Sequence, residues 1–123
     1  MPENERTLHT IALIGGTGPE GKGLATRFAI AGHKVIIGSR DPARGIEAAE
    51  ELTKKLNTVP DSNITGNTNE NAVSNADIAV VTVPYGGHQA TLESLKSLLV
   101  DKIVIDAVVP VYFEKGPRPI EVP

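Results

Sequence analysis

An apolar run that stops at a glycine cluster and passes directly into a helical pattern leaves a chain few folds to choose from. Here the run is Ile11-Ala12-Leu13-Ile14, the cluster is Gly15-Gly16-Thr17-Gly18-Pro19-Glu20-Gly21, and the helical pattern extends from about Gly18 to Ala31. A buried strand, a glycine turn and a helix N-terminus in succession make a cradle for phosphate. Glycine lets the backbone approach an anion closely, and the helix end presents free N–H groups at the positive end of its dipole. Gly16-x-Gly18-x-x-Gly21 matches the dinucleotide fingerprint, whose glycines serve the tight turn, the approach to a pyrophosphate and close packing of helix on strand. The spacing Gly15-x-x-Gly18-x-x-Gly21, typical of short-chain dehydrogenases, fits as well. A Walker loop does not, because no Gly-Lys-Ser/Thr closes the turn: Lys22 is followed by Gly23. The plain alternative is a tight strand-to-helix turn that holds no ligand.

The remaining segments alternate in the same way. Leu8 to Ile14, Val35 to Ile37, Asn63 to Gly66, Ile78 to Val83 and Lys102 to Asp106 read as strands. The first shows little alternation, as a central parallel strand buried on both faces does, and the fourth is the clearest strand in the sequence. Helical spacing falls between them. Leu24, Phe28 and Ala31 mark the first helix, which Gly32 ends. Ile46, Ala49, Leu52 and Leu56 mark the second, Thr68 to Asn75 the third, and Leu92, Leu95 and Leu99 a helix from His88 to Leu99. Strands alternating with helices predict an α/β fold: a doubly wound parallel sheet of about five strands with helices on both faces. We divide the chain into a polar extension (1–8), a nucleotide-binding domain (9–106) and a proline-rich, aperiodic segment (107–123). A chain of 123 residues suits one domain. A net charge of −3 offers no basic surface for nucleic acid or an anionic membrane, and the absence of cysteine excludes disulfides, thiolate zinc sites and cysteine nucleophiles. The polar start lacks the features of a signal peptide and no apolar run spans a membrane, so the expected location is the cytosol.

The tip of the second strand decides between nucleotides. A carboxylate there accepts hydrogen bonds from the ribose 2′-OH of NAD, whereas an arginine accommodates the 2′-phosphate of NADP. Gly38-Ser39-Arg40 carries no carboxylate, and Arg44 stands four residues on. A hydroxyl and two guanidinium groups suit a phosphate, so the expected cofactor is NADP(H). Asp41, followed by Pro42, reads as a helix cap. At the far end of the site Val83, Pro84 and Tyr85 finish the fourth strand, with Tyr85 placed to lie against the nicotinamide or, equally, to fill core or interface. His88 opens the next helix as a possible cofactor contact. Asp106 reads as a strand-end cap, and His9 and His33 as structural. No Tyr-x-x-x-Lys pair of the short-chain dehydrogenases is present, nor a His-Glu metal motif, and we assign no catalytic residue. Hydride transfer between two held cofactors needs positioning more than acid–base groups.

Ile-Gly-Gly-Thr-Gly-Pro-Glu-Gly-Lys-Gly-Leu-Ala, Ala-Gly-His-Lys-Val-Ile-Ile-Gly-Ser-Arg, Val-Pro-Tyr and Asp-Ala-Val-Val-Pro-Val together resemble the NADPH-dependent F420 reductases, over nearly all of residues 9 to 111. The resemblance implies a hydride passed between NADP(H) and the deazaflavin coenzyme F420. It implies that Gly16, Thr17, Gly18, Gly21, Ser39 and Arg40 hold NADP, with Arg44 where a further basic residue is common and Val83, Pro84 and Tyr85 near the nicotinamide. Pro19 and Glu20 within the turn, and His88, complete the candidate contacts. Family members usually continue into a C-terminal part that completes the deazaflavin site and the dimer. The expectation is therefore an exposed sheet edge and a dimer or larger assembly involving Ala107 to Pro123. A stand-alone NADP(H)-binding module without turnover is the alternative, and an imine or β-hydroxyacid reductase without its substrate domain a third reading.

Overall fold

The computed structural model describes residues 8–59, 62–83, 85–107, 111–113 and 117–119, with residues 85–86 and the last two segments as backbone only. Five parallel strands form one sheet: β1 (Thr10–Ile14), β2 (Lys34–Ser39), β3 (Asn63–Thr68), β4 (Ile78–Val81) and β5 (Ile103–Asp106), in the order β3-β2-β1-β4-β5. Order reverses at β1, so the crevice beside its C-terminal end is the switch point at which such sheets bind ligands. Register fixes that crevice. Leu13 pairs with Ile37 on one side and with Val80 on the other, so the ends of β1, β2 and β4 lie level.

The helices cover both faces. α1 (Pro19–Ile30) and α2 (Pro42–Lys55) lie on one, where Ala25, Ala29, Ala48, Ala49 and Leu52 pack on Ile11, Leu13, Val35 and Ile37. α3 (Asn69–Ser74) and α4 (Tyr85–Leu95) lie on the other, where Ala72, Val73 and Leu95 pack on Ala12, Ile14, Ile36 and Val81. Alternate residues of β1 thus feed two separate cores, which is why the strand shows no polar face. The helix ends follow from local chemistry. Gly32 adopts φ +99° and closes α1, a conformation that glycine takes without steric cost. The Asp41 carboxylate accepts the Ala43 N–H at 3.0 Å, confirming it as the cap of α2. Thr68 caps α3 by accepting the Asn71 N–H at 3.1 Å.

Two elements differ from the sequence reading. The final helix begins at Tyr85 rather than His88, and its last turn, Lys96–Leu99, tightens to 3₁₀ geometry. Residues Val111–Phe113 and Pro117–Pro119, expected to be aperiodic, pair as an antiparallel ribbon, β6 with β7. β5 occupies a sheet edge with Ile103, Val104 and Ile105 exposed, the apolar surface expected at that end. No helix among the described residues is long and apolar enough to cross a membrane.

At the opposite, N-terminal end of the sheet, the Asp77 carboxylate accepts the Thr10 N–H at 2.9 Å and lies 3.1 Å from His9 Nδ1. The His9 N–H donates to His33 Nδ1 at 3.0 Å. The hydrogen bond from His9, helped by that from the Thr10 amide, holds the Asp77 carboxyl below the usual carboxylate range against the opposing effect of burial. Both histidines are therefore structural, tying together the starts of β1, β2 and β4.

Candidate functional site

A cleft of about 700 Å³ opens at the C-terminal ends of the strands. Its floor is the glycine turn, and each glycine there has its own reason. Gly15 takes φ +69°, and a side chain on it would drive into Val83. The Gly16 N–H donates to the Gly38 carbonyl at 3.0 Å, drawing the turn over β2. A Cβ on Gly21 would sit 2.5 Å from the Gly16 Cα and carbonyl oxygen, so α1 starts in backbone contact with the turn. A Cβ on Gly18 would meet nothing within 4 Å. Packing does not require that glycine, and the backbone there stands open, as a cradle for a pyrophosphate does.

The second wall comes from the end of β2 and the start of α2. Ser39 is buried, and its Oγ accepts the Asp41 N–H at 3.3 Å. Arg40 and Arg44 line the cleft, exposed and without an ion-pair partner among the described residues. Two guanidinium groups and a serine hydroxyl on one wall are groups of the kind that donate charge-assisted and neutral hydrogen bonds to anions. Asp41 also lines this wall, with one carboxylate oxygen held by the α2 cap. The wall stands close to β3 because Gly66 lies against the Gly45 carbonyl and the Ile46 amide, with no room for a Cβ.

The third wall is Val83 and one face of α4, made of Gly87, Ala90, Thr91 and Ser94. Thr82 Oγ1 donates to the Ile14 carbonyl at 2.9 Å, locking the end of β4 to β1. Pro84 lies outside the described residues, as does the side chain of Tyr85, whose backbone begins α4. His88 follows Gly87 but faces β5, its Nε2 2.7 Å from Asp106 Oδ2. It braces the wall rather than lining the cleft, and Asp106 is its partner.

Of the residues expected from sequence, the cleft brings together Thr17, Ser39, Arg40, Arg44 and Val83. Gly16 and Gly21 are buried beneath it as support, and Gly18, next to the lining Thr17, has open space where a Cβ would stand. Pro19 and Glu20 are exposed in the first turn of α1, outside the lining. Sequence reading missed Asn69, Glu70, Thr91 and Ser94, which line the same cleft. Asn69 is 5% exposed, and its Oδ1 accepts the Gly15 N–H at 3.0 Å, across 54 positions of chain. The available signal was its place at the carboxyl end of a parallel strand. A second, more open groove of about 520 Å³ between α2 and β3 lies away from the glycine turn. Among the described residues no cluster of histidine and acidic side chains suits a metal ion.

Known proteins resemble this chain over most of its length. Residues 10–110 match the family described as NADP oxidoreductase, coenzyme F420-dependent. An F420-dependent NADP reductase of Methanothermobacter thermautotrophicus is 46% identical over 101 residues, which are 82% of this chain and 43% of that protein. One from Methanocaldococcus jannaschii is 36% identical over 110 residues, 89% of this chain and 49% of that one. The matched stretch thus spans less than half the length of these curated relatives. A crystal structure described as an F420-dependent NADP reductase, from an Arthrobacter species, superposes with TM-score 0.72 at 27% identity, covering 94% of this chain and 53% of that one. The lactate dehydrogenase of Cryptosporidium parvum, at TM-score 0.71 and 17% identity over 86% of this chain and 39% of its own, shares the fold alone. With the family matched over residues 10–110 and identity reaching 46%, the chain belongs to the coenzyme F420-dependent NADP oxidoreductases.

Proposed function

We propose that this chain is the NADP(H)-binding domain of an oxidoreductase that transfers a hydride between NADP(H) and coenzyme F420. The observation that carries the reading is the pair of guanidinium groups, Arg40 and Arg44, without an ion-pair partner among the described residues, set with Ser39 at the end of β2 and the start of α2 in the same cleft as the glycine turn. In this reading the turn from Thr17 to Gly21 and the first turn of α1 receive the pyrophosphate, and Arg40, Arg44 and Ser39 receive the 2′-phosphate. Val83 and the start of α4, with Pro84 and Tyr85, border the nicotinamide. The dinucleotide, when bound, would give or take the hydride. The residues here hold and orient the dinucleotide, which is the larger share of what hydride transfer between two bound partners requires.

Calorimetric titration with NADPH, NADP, NADH and F420 tests the reading. Preference for NADPH over NADH supports it. Replacing Arg40 with alanine is expected to weaken NADPH by about 1.5–3 kcal/mol, the scale of a hydrogen bond to a charged group, and to leave NADH little changed. Equal affinity for NADPH and NADH in the wild type refutes the assignment of Arg40. Binding of NADPH without F420 assigns the chain the role of a dinucleotide-binding module. We also propose a dimer or larger assembly, supported by the exposed Ile103, Val104 and Ile105 on the β5 edge. A monomer mass that is independent of concentration in sedimentation counts against it.

A further inference from the structure

Asn69 is 5% exposed, lines the cleft and carries an amide with two distinct ends. The orientation of that amide is set by chemistry. The Gly15 N–H is a donor, so the atom 3.0 Å from it is the oxygen, and the nitrogen must occupy the other position. Among the described residues Nδ2 has no protein partner, yet no buried side-chain nitrogen or oxygen there is left without one. The nitrogen therefore keeps a face open to solvent in a side chain that is otherwise enclosed, and the open space it borders is the cleft. A primary amide buried to this degree, with its acceptor engaged and both donors free, is a recognition group awaiting an acceptor.

Its position says which part of a ligand it meets. A Cβ on Gly38 would lie 2.6 Å from Asn69 Oδ1, so the amide sits directly over the residue preceding Ser39. Ser39 and Arg40 mark the end of β2, where dinucleotide sheets read the ribose of the adenosine half. We propose that Asn69 both orders the glycine turn, through Oδ1, and recognises the ligand, through a hydrogen bond from Nδ2 to an acceptor on the adenosine half of the dinucleotide. This inference rests on the reading of the cleft as an NADP(H) site.

Asn69→Asp separates the two roles. It preserves an oxygen for the Gly15 N–H and removes the donor, whereas Asn69→Ala removes both. The full chain and the two variants are titrated by calorimetry with NADPH, with 2′,5′-ADP as the adenosine half and with nicotinamide mononucleotide as the other half. Asn69→Asp is expected to weaken NADPH and 2′,5′-ADP by about tenfold or more, the effect of losing one hydrogen bond, and to leave nicotinamide mononucleotide unchanged. The ratio to wild type should persist in about 0.5 M salt, where screening removes simple repulsion between the new carboxylate and the phosphates. Asn69→Asp within about twofold of wild type for both adenosine ligands overturns the proposal, as does a loss that vanishes in salt; the aspartate variant decides the matter even if the alanine variant fails to fold. Wild-type protein that binds neither NADPH nor 2′,5′-ADP overturns the NADP(H) reading and this proposal together. Normal wild-type binding with an unaffected aspartate variant overturns this proposal alone.

Discussion

Replacing Gly21 and Gly18 with alanine, one at a time, separates the two duties of the glycine turn. A methyl at position 21 would sit 2.5 Å from the Gly16 Cα and carbonyl oxygen and 2.7 Å from its carbonyl carbon. Ordinary contact is near 3.5–4 Å, so α1 must withdraw from the turn by about 1 Å, and all the offending atoms are backbone. Overpacking of this kind costs about 1–3 kcal/mol. An unfolding entropy of about 2.1 cal/mol/K per residue gives about 0.26 kcal/mol/K for the whole chain, so Tm should fall by roughly 4–12 °C. Position 18 behaves differently. It is the N-cap of α1 with φ −83° and ψ 176°, an extended conformation open to alanine, and its Cβ meets no protein atom. The lost glycine cap and the reduced entropy of the unfolded chain nearly offset each other, within about 0.5 kcal/mol or roughly 2 °C. The methyl does stand in the way of a phosphate approaching the helix end. Losing one charge-assisted backbone hydrogen bond predicts NADPH affinity reduced about 10- to 100-fold. Thermal unfolding and NADPH titration on both variants check the pair. Unchanged NADPH affinity in Gly18→Ala would show that the turn is no phosphate cradle; an unchanged Tm in Gly21→Ala would show that α1 is not seated on Gly16.

Three further outcomes follow from other contacts. Gly66→Ala pushes a methyl into the Gly45 carbonyl and the Ile46 amide, and should lower stability by about 3 kcal/mol, at the upper end for overpacking, measured by denaturant unfolding. The Asp77 and Glu51 carboxyls are both held below their usual range, by hydrogen bonds from His9 and Lys22 respectively. A carboxylate lowered in the folded state stabilises the fold above its unfolded pKa, and that contribution disappears as pH falls through the folded value. Stability should therefore decline through the acid range below the usual carboxylate pKa, and Asp77→Asn should flatten part of that decline in a pH series of melts. Ile103→Lys and Ile105→Lys alter side chains already 59% and 47% exposed, so Tm should barely move; any self-association through β5 should weaken in sedimentation.

The parts of this fold legible in the sequence are those encoded locally. The continuous burial of Ile11 to Ile14, the cap at Asp41 and the glycine ending α1 each depend on neighbours a few residues away, and each was readable. The alternation of strands and helices followed from them and gave the parallel sheet. Within the cleft, Ser39, Arg40 and Arg44 were legible because they stand within six consecutive residues, from the end of β2 to the start of α2. Asn69 was not, because its meaning depends on a backbone N–H 54 residues distant and on Gly38 beneath it. For the same reason His88 looked like a cofactor contact: nothing local announces that its imidazole turns to Asp106, 18 residues on. The ribbon of β6 and β7 also escaped notice, since strands of three residues, one of them Pro-Arg-Pro, are too short to show alternation.

The glycine turn stands astride the sheet. Gly15 faces Asn69 and Val83, which belong with α3 and the core on one side; Gly16 faces Leu13 and Ile37 and carries Gly21 of α1 on the other. Those two cores share only the strands between them. A ligand gripping the turn consequently grips both layers, and local opening of either must first release it. If the cleft holds a dinucleotide, amide hydrogen exchange should slow on binding in α3 as well as in α1, the two layers then answering as one cooperative unit.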